Sequence, residues 1–222
     1  MVELVWGTVP AVLALEADPV SLLDSGERTR RAALTRPEAR DRFTAGRVLL
    51  RSTLAAATGV APGSLALALG AHGKPALEPR ILGAPAFNLA HTADVVALAL
   101  GHAPALGLDI EVLAERPSAE RIARRRFAPA EAAWLADLHG EERARAFLRL
   151  WTAKEALLKA LGTGIAGGLA SVELAPDPDG ALRLVRPPAP GPWTLLEREL
   201  RPDLLAAVAL PGEPWQVTVT EV

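Results

Sequence analysis

The chain sets out one plan twice. A helical stretch begins at Pro37, carries Phe43, Val48, Leu49, Leu50 and Leu54 at helical spacing, and stops at Gly59-Val60. A second runs over Glu141–Leu161 and closes at Gly162 and Gly164-Ile165. Short strand-like runs follow each: Ser64–Leu69, Ala86–Leu89 and Val95–Leu100 after the first, and 169–174, 181–185, 193–197, 204–210 and 215–220 after the second. The runs Asp94-Val-Val-Ala-Leu-Ala-Leu and Asp203-Leu-Leu-Ala-Ala-Val-Ala-Leu are alike. A long helix stopped by glycine and followed by a small sheet, stated twice, predicts two similar α+β halves, residues 1–104 and 105–222. Residues 1–16 are expected to form a strand and a loop, Ser21–Thr35 a basic helix, and Ala105–Val112 a strand opening the second half. Pro129 starts a short helix, where its missing N–H leaves no bond unmade.

Composition narrows the function classes. The 222 residues include 24 Lys+Arg and 26 Asp+Glu, a formal charge of −2, and half are apolar. Disorder and a generally basic nucleic-acid binder are excluded. With no Cys, disulfides and thiolate chemistry are excluded too. No apolar run reaches the roughly 18 residues that span a bilayer, and Met1-Val-Glu-Leu-Val-Trp lacks a basic signal region. The expectation is a soluble, cytoplasmic protein with neither nucleic-acid nor membrane partners.

Five places carry candidate chemistry. In Gly107-Leu-Asp109-Ile-Glu111, a strand points both acids to one face. They are either a solvated outer face or ligands for a hard divalent cation, which prefers oxygen. In Phe147-Leu-Arg-Leu-Trp151-Thr-Ala-Lys154-Glu155-Ala-Leu-Leu-Lys159, a helix puts Leu148, Trp151, Glu155 and Leu158 on one stripe. An acid in an apolar stripe is costly unless paired or bound to a cation. A surface pair with Lys159, one turn on, is the plain alternative, but it leaves the shared stripe with Trp151 unaccounted for. His72-Gly73-Lys74-Pro75 is a turn that would hold Lys74 as a phosphate ligand, or simply a surface turn. Phe87-Asn88-Leu-Ala90-His91-Thr92 carries an Asn and a His that either touch a ligand or pack. Arg28, Arg30 and Arg31 are a binding patch or a solvated helix face.

Taken in order, Gly-Lys-Pro, Phe-Asn-x-x-His, Gly-x-Asp-x-Glu and Trp-x-x-Lys-Glu-x-x-x-Lys resemble the 4′-phosphopantetheinyl transferases of the larger, monomeric, surfactin-type class. The resemblance covers roughly residues 21–175. It implies an intramolecular pseudo-dimer of two α+β halves, with coenzyme A in the cleft between them. The implied activity moves the 4′-phosphopantetheine arm of coenzyme A to a serine of an acyl, peptidyl or polyketide carrier protein, with Mg²⁺, releasing adenosine 3′,5′-bisphosphate. By motif, Asp109, Glu111 and Glu155 are the implied metal ligands. Glu155 or Glu111 is the implied proton acceptor, directly or through a water, and Lys159 the group that stabilises leaving charge. Arg30, His72, Gly73, Lys74, Asn88, Ala90, His91, Lys154 and Lys159 are the implied coenzyme-binding set. The chain departs from the family at Ala90, where Ser is usual.

Carrier proteins of this kind are acidic helical bundles, and Arg121-Ile-Ala-Arg124-Arg125-Arg126 would steer them, or else is a solvated helix face. Phe127–Leu138 supplies an apolar docking surface, or core at Trp134 and Leu135. The internal repeat implies a monomer. Two other functions compete: a different Mg²⁺-dependent transferase acting on a nucleotide-like donor, although no Walker loop is present, and a non-catalytic coenzyme A-binding regulatory module. Three intact carboxylates argue against the module, which needs no metal; Ala90 alone favours it.

Overall fold

A computed structural model describes residues 1–70, 73–78, 81–114, 118–164, 168–212 and 214–222. The architecture is mixed α+β, and contacts divide the chain into two units: Met1–His102 with Gln216–Val222, and Ala103–Trp215.

The first unit opens with strand β1 (Val2–Thr8), which runs into a short helix α1 (Val9–Leu13) where a loop is expected from the sequence. The Thr8 hydroxyl accepts from the Ala11 N–H, and Pro10 takes an early helical position where its missing donor costs nothing. Helix α2 (Ser25–Ala33) starts at a reciprocal capping box: Asp24 accepts from the Glu27 N–H at 2.8 Å, and Glu27 accepts from the Asp24 N–H at 3.1 Å. Helix α3 (Pro37–Thr58) follows and stops at Gly59, whose φ of 71° is a left-handed cap. Then come a 3₁₀ turn (Pro62–Ser64), the hairpin β2 (Leu67–Leu69) and β3 (Pro75–Leu77), and the hairpin β4 (Ala86–Thr92) and β5 (Val95–Gly101).

The second unit repeats this order. Strand β6 (Gly107–Val112) leads into α4 (Ala119–Arg126), α5 (Pro129–Asp137) and the long α6 (Gly140–Leu161). Gly162 ends α6 with φ 77°. A 3₁₀ turn (Leu169–Ser171), the hairpin β7 (Glu173–Pro176) and β8 (Leu182–Arg186), and the hairpin β9 (Trp193–Arg201) and β10 (Leu204–Pro211) complete it.

The correspondence extends to topology. In each unit the first strand pairs with the last strand of the closing hairpin: β1–β5–β4 in one, β6–β10–β9 in the other, antiparallel throughout. Both long helices have 22 residues. One element departs from the predicted halves. Strand β11 (Val217–Glu221), which falls in the 105–222 half by sequence, pairs in parallel with β1 from Val2↔Val217 to Trp6↔Glu221. It therefore belongs to the first unit, whose sheet order is β11–β1–β5–β4.

Every residue of β5 and all of β10 but its last are buried, which is why both appear as continuous apolar runs rather than alternating ones. The core of the first unit packs Val48, Leu49 and Leu54 of α3 against Val96 and Leu98 of β5. The second packs Phe147, Leu150 and Leu157 of α6 against Leu205 and Ala207 of β10. Each fully buried Leu or Phe contributes about 1.5–3 kcal/mol relative to exposure.

Candidate active site

Pairing with β10 fixes the acids of β6. Asp109 lies opposite Ala207 and Glu111 opposite Leu205, so both acids share the sheet face on which Ala207 and Leu205 meet α6. From α6, Glu155 is buried among apolar neighbours, and Lys159 reaches across to the strand. Lys159 Nζ donates to Asp109 Oδ1 at 2.6 Å and to the Leu108 carbonyl at 3.2 Å. Lys159 thus bridges α6 to β6.

The electrostatics are those of crowded acids. Burial pushes the Asp109 carboxyl up to about 7; Lys159 opposes the rise, and Glu111 and Glu155 add to it. Burial also raises Glu155, again against Lys159 and with Glu111. Asp109 Oδ2 and Glu155 Oε1 are buried without a hydrogen-bond partner. Orphaned carboxylate oxygens in a buried site are costly, and a hard cation would satisfy both. The donor set is all oxygen, as Mg²⁺ prefers. Among the described residues, no three such side chains already stand at metal-binding distance from one another. The chemistry of the residues fits Mg²⁺.

Lys154, implied by motif as a coenzyme ligand, lies elsewhere. Its side chain is 0% exposed and ion-paired at 2.7 Å with Glu131, also 0% exposed. Its ammonium donates to the carbonyls of Leu169, at 2.9 Å, and Val172, and lies 5.3 Å from the centre of the Phe127 ring. Burial lowers its pKa, and Glu131 opposes the fall. An ammonium so enclosed has no face left for a phosphate. Glu131 is the residue missed by sequence reasoning. It also accepts from the backbone N–H groups of Ala128 and Leu174, at 2.8 Å each. Its signal was present: an acid two residues after Pro129 is where a helix N-terminus wants one.

In the first unit, Gly73 and Lys74 form the tip of the β2–β3 hairpin, with Gly73 at φ 75° and the Gly70 N–H bonded to the Lys74 carbonyl at 2.9 Å. Lys74 is half-buried there. His72 lies outside the described residues. Asn88 and His91 are both on β4, but three residues apart, so the strand turns them to opposite faces. Asn88 is buried beside Ala90, opposite Ala99 and Ala97; His91 is exposed on the side of Phe87 and Leu89. Ala90, 4% exposed, presents only a methyl group.

Arg30 stands at the mouth of a second cluster. Its guanidinium lies 5.9 Å from the Phe43 ring centre, and that of Arg47 lies 5.1 Å from the same ring. Arg47 is buried with Nε 3.1 Å from Glu27 Oε1, and its Nη1 has no hydrogen-bond partner. Burial lowers its pKa. Arg51 behind it is fully enclosed, paired with Glu27 at 2.8 Å and with Asp24 at 3.2 Å. Phe43, Arg47 and Arg51 recur every fourth residue along α3, and that spacing is the sequence signal for this cluster.

Comparison with known proteins places the chain in a family. The 4′-phosphopantetheinyl transferase superfamily profile matches residues 105–218. The chain is 38% identical over 200 residues to the 4′-phosphopantetheinyl transferase HetI of Nostoc sp., spanning 90% of this chain and 83% of that one. It is 36% identical over 135 residues to the 4′-phosphopantetheinyl transferase AcpT of Escherichia coli, spanning 60% and 64% respectively. A crystal structure of a holo-(acyl-carrier-protein) synthase from Bacillus anthracis in complex with CoA aligns with TM-score 0.40 and 23% identity, over 49% of this chain and 96% of its own. By its profile match and its similarity to HetI, the chain belongs to the 4′-phosphopantetheinyl transferase superfamily.

Proposed function

We propose that Asp109, Glu111 and Glu155 hold Mg²⁺ in the reaction of this family, the transfer of the 4′-phosphopantetheine arm of coenzyme A to a carrier-protein serine. The observation that carries the reading is the pair of orphaned buried oxygens, Asp109 Oδ2 and Glu155 Oε1, beside the ammonium of Lys159. Bound there, Mg²⁺ would neutralise the pyrophosphate. In the transfer, the serine Oγ forms a bond to the β-phosphorus and the bond to the bridging oxygen breaks. Adenosine 3′,5′-bisphosphate leaves with that oxygen, and the serine proton passes to a carboxylate. Glu155 or Glu111 is the acceptor in this reading, directly or through a water. Lys159, which reaches from α6 to β6, is in this reading the donor to charge on the departing oxygen.

On the coenzyme side, Lys74 at the β2–β3 turn and Arg30 with Arg47 at Phe43 are the cations for its phosphates, with His91 as a further donor. Arg47 joins this set because it holds a buried N–H with nothing to bond. The pseudo-dimer belongs to the same proposal, supported by the shared strand order of the two units. So does docking of an acidic carrier on α4, which exposes Arg121, Arg124, Arg125 and Arg126 beside an apolar groove lined by Ala123, Leu135 and Phe147. A monomer working in the cytoplasm completes the reading.

The test is a single-turnover assay with coenzyme A labelled in its pantetheine arm and an apo-carrier. Label should move to the carrier only with Mg²⁺, and Asp109→Ala, Glu111→Ala and Glu155→Ala should each abolish or sharply reduce transfer while remaining folded. A variant that turns over normally removes that residue from the metal site.

A further inference from the structure

Gly107 has no conformational need to be glycine, because its φ is not among the left-handed values in the chain. What it lacks is room. A Cβ placed there would lie 1.9 Å from the Ala156 carbonyl oxygen, 2.5 Å from the Ala160 nitrogen and 3.0 Å from the Ala156 carbonyl carbon. All three are backbone atoms, so no rotamer change relieves the overlap. The strand lies directly on the helix here, and the contact falls among the functional groups. Ala156 follows Glu155, Ala160 follows Lys159, and Asp109 is two residues along β6.

We propose that Gly107 is a positioning residue for the carboxylate site: its bare backbone sets the α6–β6 separation at which Asp109, Glu155 and Lys159 meet. The proposal rests on the metal assignment above. Carbon–oxygen contacts settle at about 3.3–3.6 Å, so a methyl group at position 107, 1.9 Å from the Ala156 oxygen, moves strand from helix by roughly 1.5 Å. The 2.6 Å contact between Asp109 and Lys159 cannot survive that shift without side-chain extension. Misplacement on this scale costs up to about 10²-fold in rate, and disturbing the support of a metal site costs about 10–100-fold in metal affinity.

The experiment measures Mn²⁺ binding by electron paramagnetic resonance at saturating coenzyme A, together with kcat and KM, for wild type, Gly107→Ala, Asp109→Glu and the double variant. Gly107→Ala should bind Mn²⁺ at least about tenfold more weakly and lose about 10²-fold in kcat, with KM for coenzyme A little changed. The double variant should recover affinity, because the extra methylene of Glu restores the lost reach. A control, Leu182→Ala, removes a buried side chain of β8 elsewhere in the second unit and should lower Tm without changing Mn²⁺ affinity. Wild-type Mn²⁺ affinity in folded Gly107→Ala overturns the proposal. Absence of Mn²⁺ binding in the wild type overturns instead the carboxylate assignment beneath it. If Gly107→Ala does not fold, Asp109→Glu decides alone: the close spacing has no room for the longer chain, so affinity within threefold of wild type overturns the proposal.

Discussion

Lys154 and Glu131 form an ion pair, 2.7 Å long, in which neither side chain touches solvent. Around it the post-α6 carbonyls of Leu169 and Val172 and the N–H groups of Ala128 and Leu174 are all engaged. Breaking such a pair strands a charge. Glu131→Leu or Lys154→Met alone should cost about 3–5 kcal/mol, and the double substitution should recover much of the loss. Urea denaturation of the three variants measures this, and two single losses that simply add would show the pair to be uncoupled. Folded Lys154→Met should bind coenzyme A within twofold of wild type.

Lys159 is predicted to act on rate. Lys159→Ala should lower kcat by about 10²–10³-fold, the scale for losing one charge-stabilising donor, with a much smaller fall in coenzyme A affinity. Steady-state rates and a coenzyme A Kd on one preparation decide it. A rate within threefold of wild type would leave Lys159 as only a structural bridge to Asp109.

Lys74 is predicted to act on binding. Lys74→Ala should weaken coenzyme A by one to two orders of magnitude, since a charged hydrogen bond is worth about 1.5–3 kcal/mol, with less effect at saturation. Calorimetry with dephospho-coenzyme A separates the cations. Equal affinity of wild type for the two ligands would show that neither Arg30 nor His91 reads the 3′-phosphate.

Asp109 gives the metal-free protein a pH dependence of unusual sign. Its carboxyl has a pKa of about 7 when folded, against 3.8 for the free group. Between those values the native state holds a proton that the unfolded chain has lost, so this group's contribution to stability falls as pH rises from about 4 to 7 and is level above. Denaturation in a chelating buffer across pH 4.5–8 should show Asp109→Asn gaining on wild type as pH rises. A constant difference across that range rules the effect out.

Much of this was visible in the residues. The long helices were legible because Pro37, Gly59 and Gly162 mark ends that backbone chemistry enforces. Glu155 stood out as an acid on an apolar helical stripe and Asp109 with Glu111 as two acids on one strand face, while the roles assigned to them and to Lys159 came with the family resemblance. Lys154 was not. Adjacent helix residues point in different directions, and only the path of the chain after α6 decides which lysine it encloses. Nor was β3 visible, since a three-residue strand starting at Pro75 has no periodicity to detect. Asn88 and His91 were grouped by nearness in sequence, and the pleat of β4 separates them. Strand β11 was seen as a strand, but its partner could not be, because parallel pairing with residues 2–6 leaves no local mark.

That pairing bears on how the protein is made. The first unit is discontinuous in the chain, interrupted after His102 and resumed at Gln216, while the second is one unbroken stretch. A chain emerging from the ribosome presents β1 well before its parallel neighbour β11, with the whole second unit made between them. The second unit has all its strands while the first still exposes one edge of β1, and an open edge is a template for unwanted pairing. Residues Val217–Glu221 act as a late seal on that edge, so deleting this strand should show first in yield and aggregation during synthesis, before any change in the chemistry of the finished enzyme.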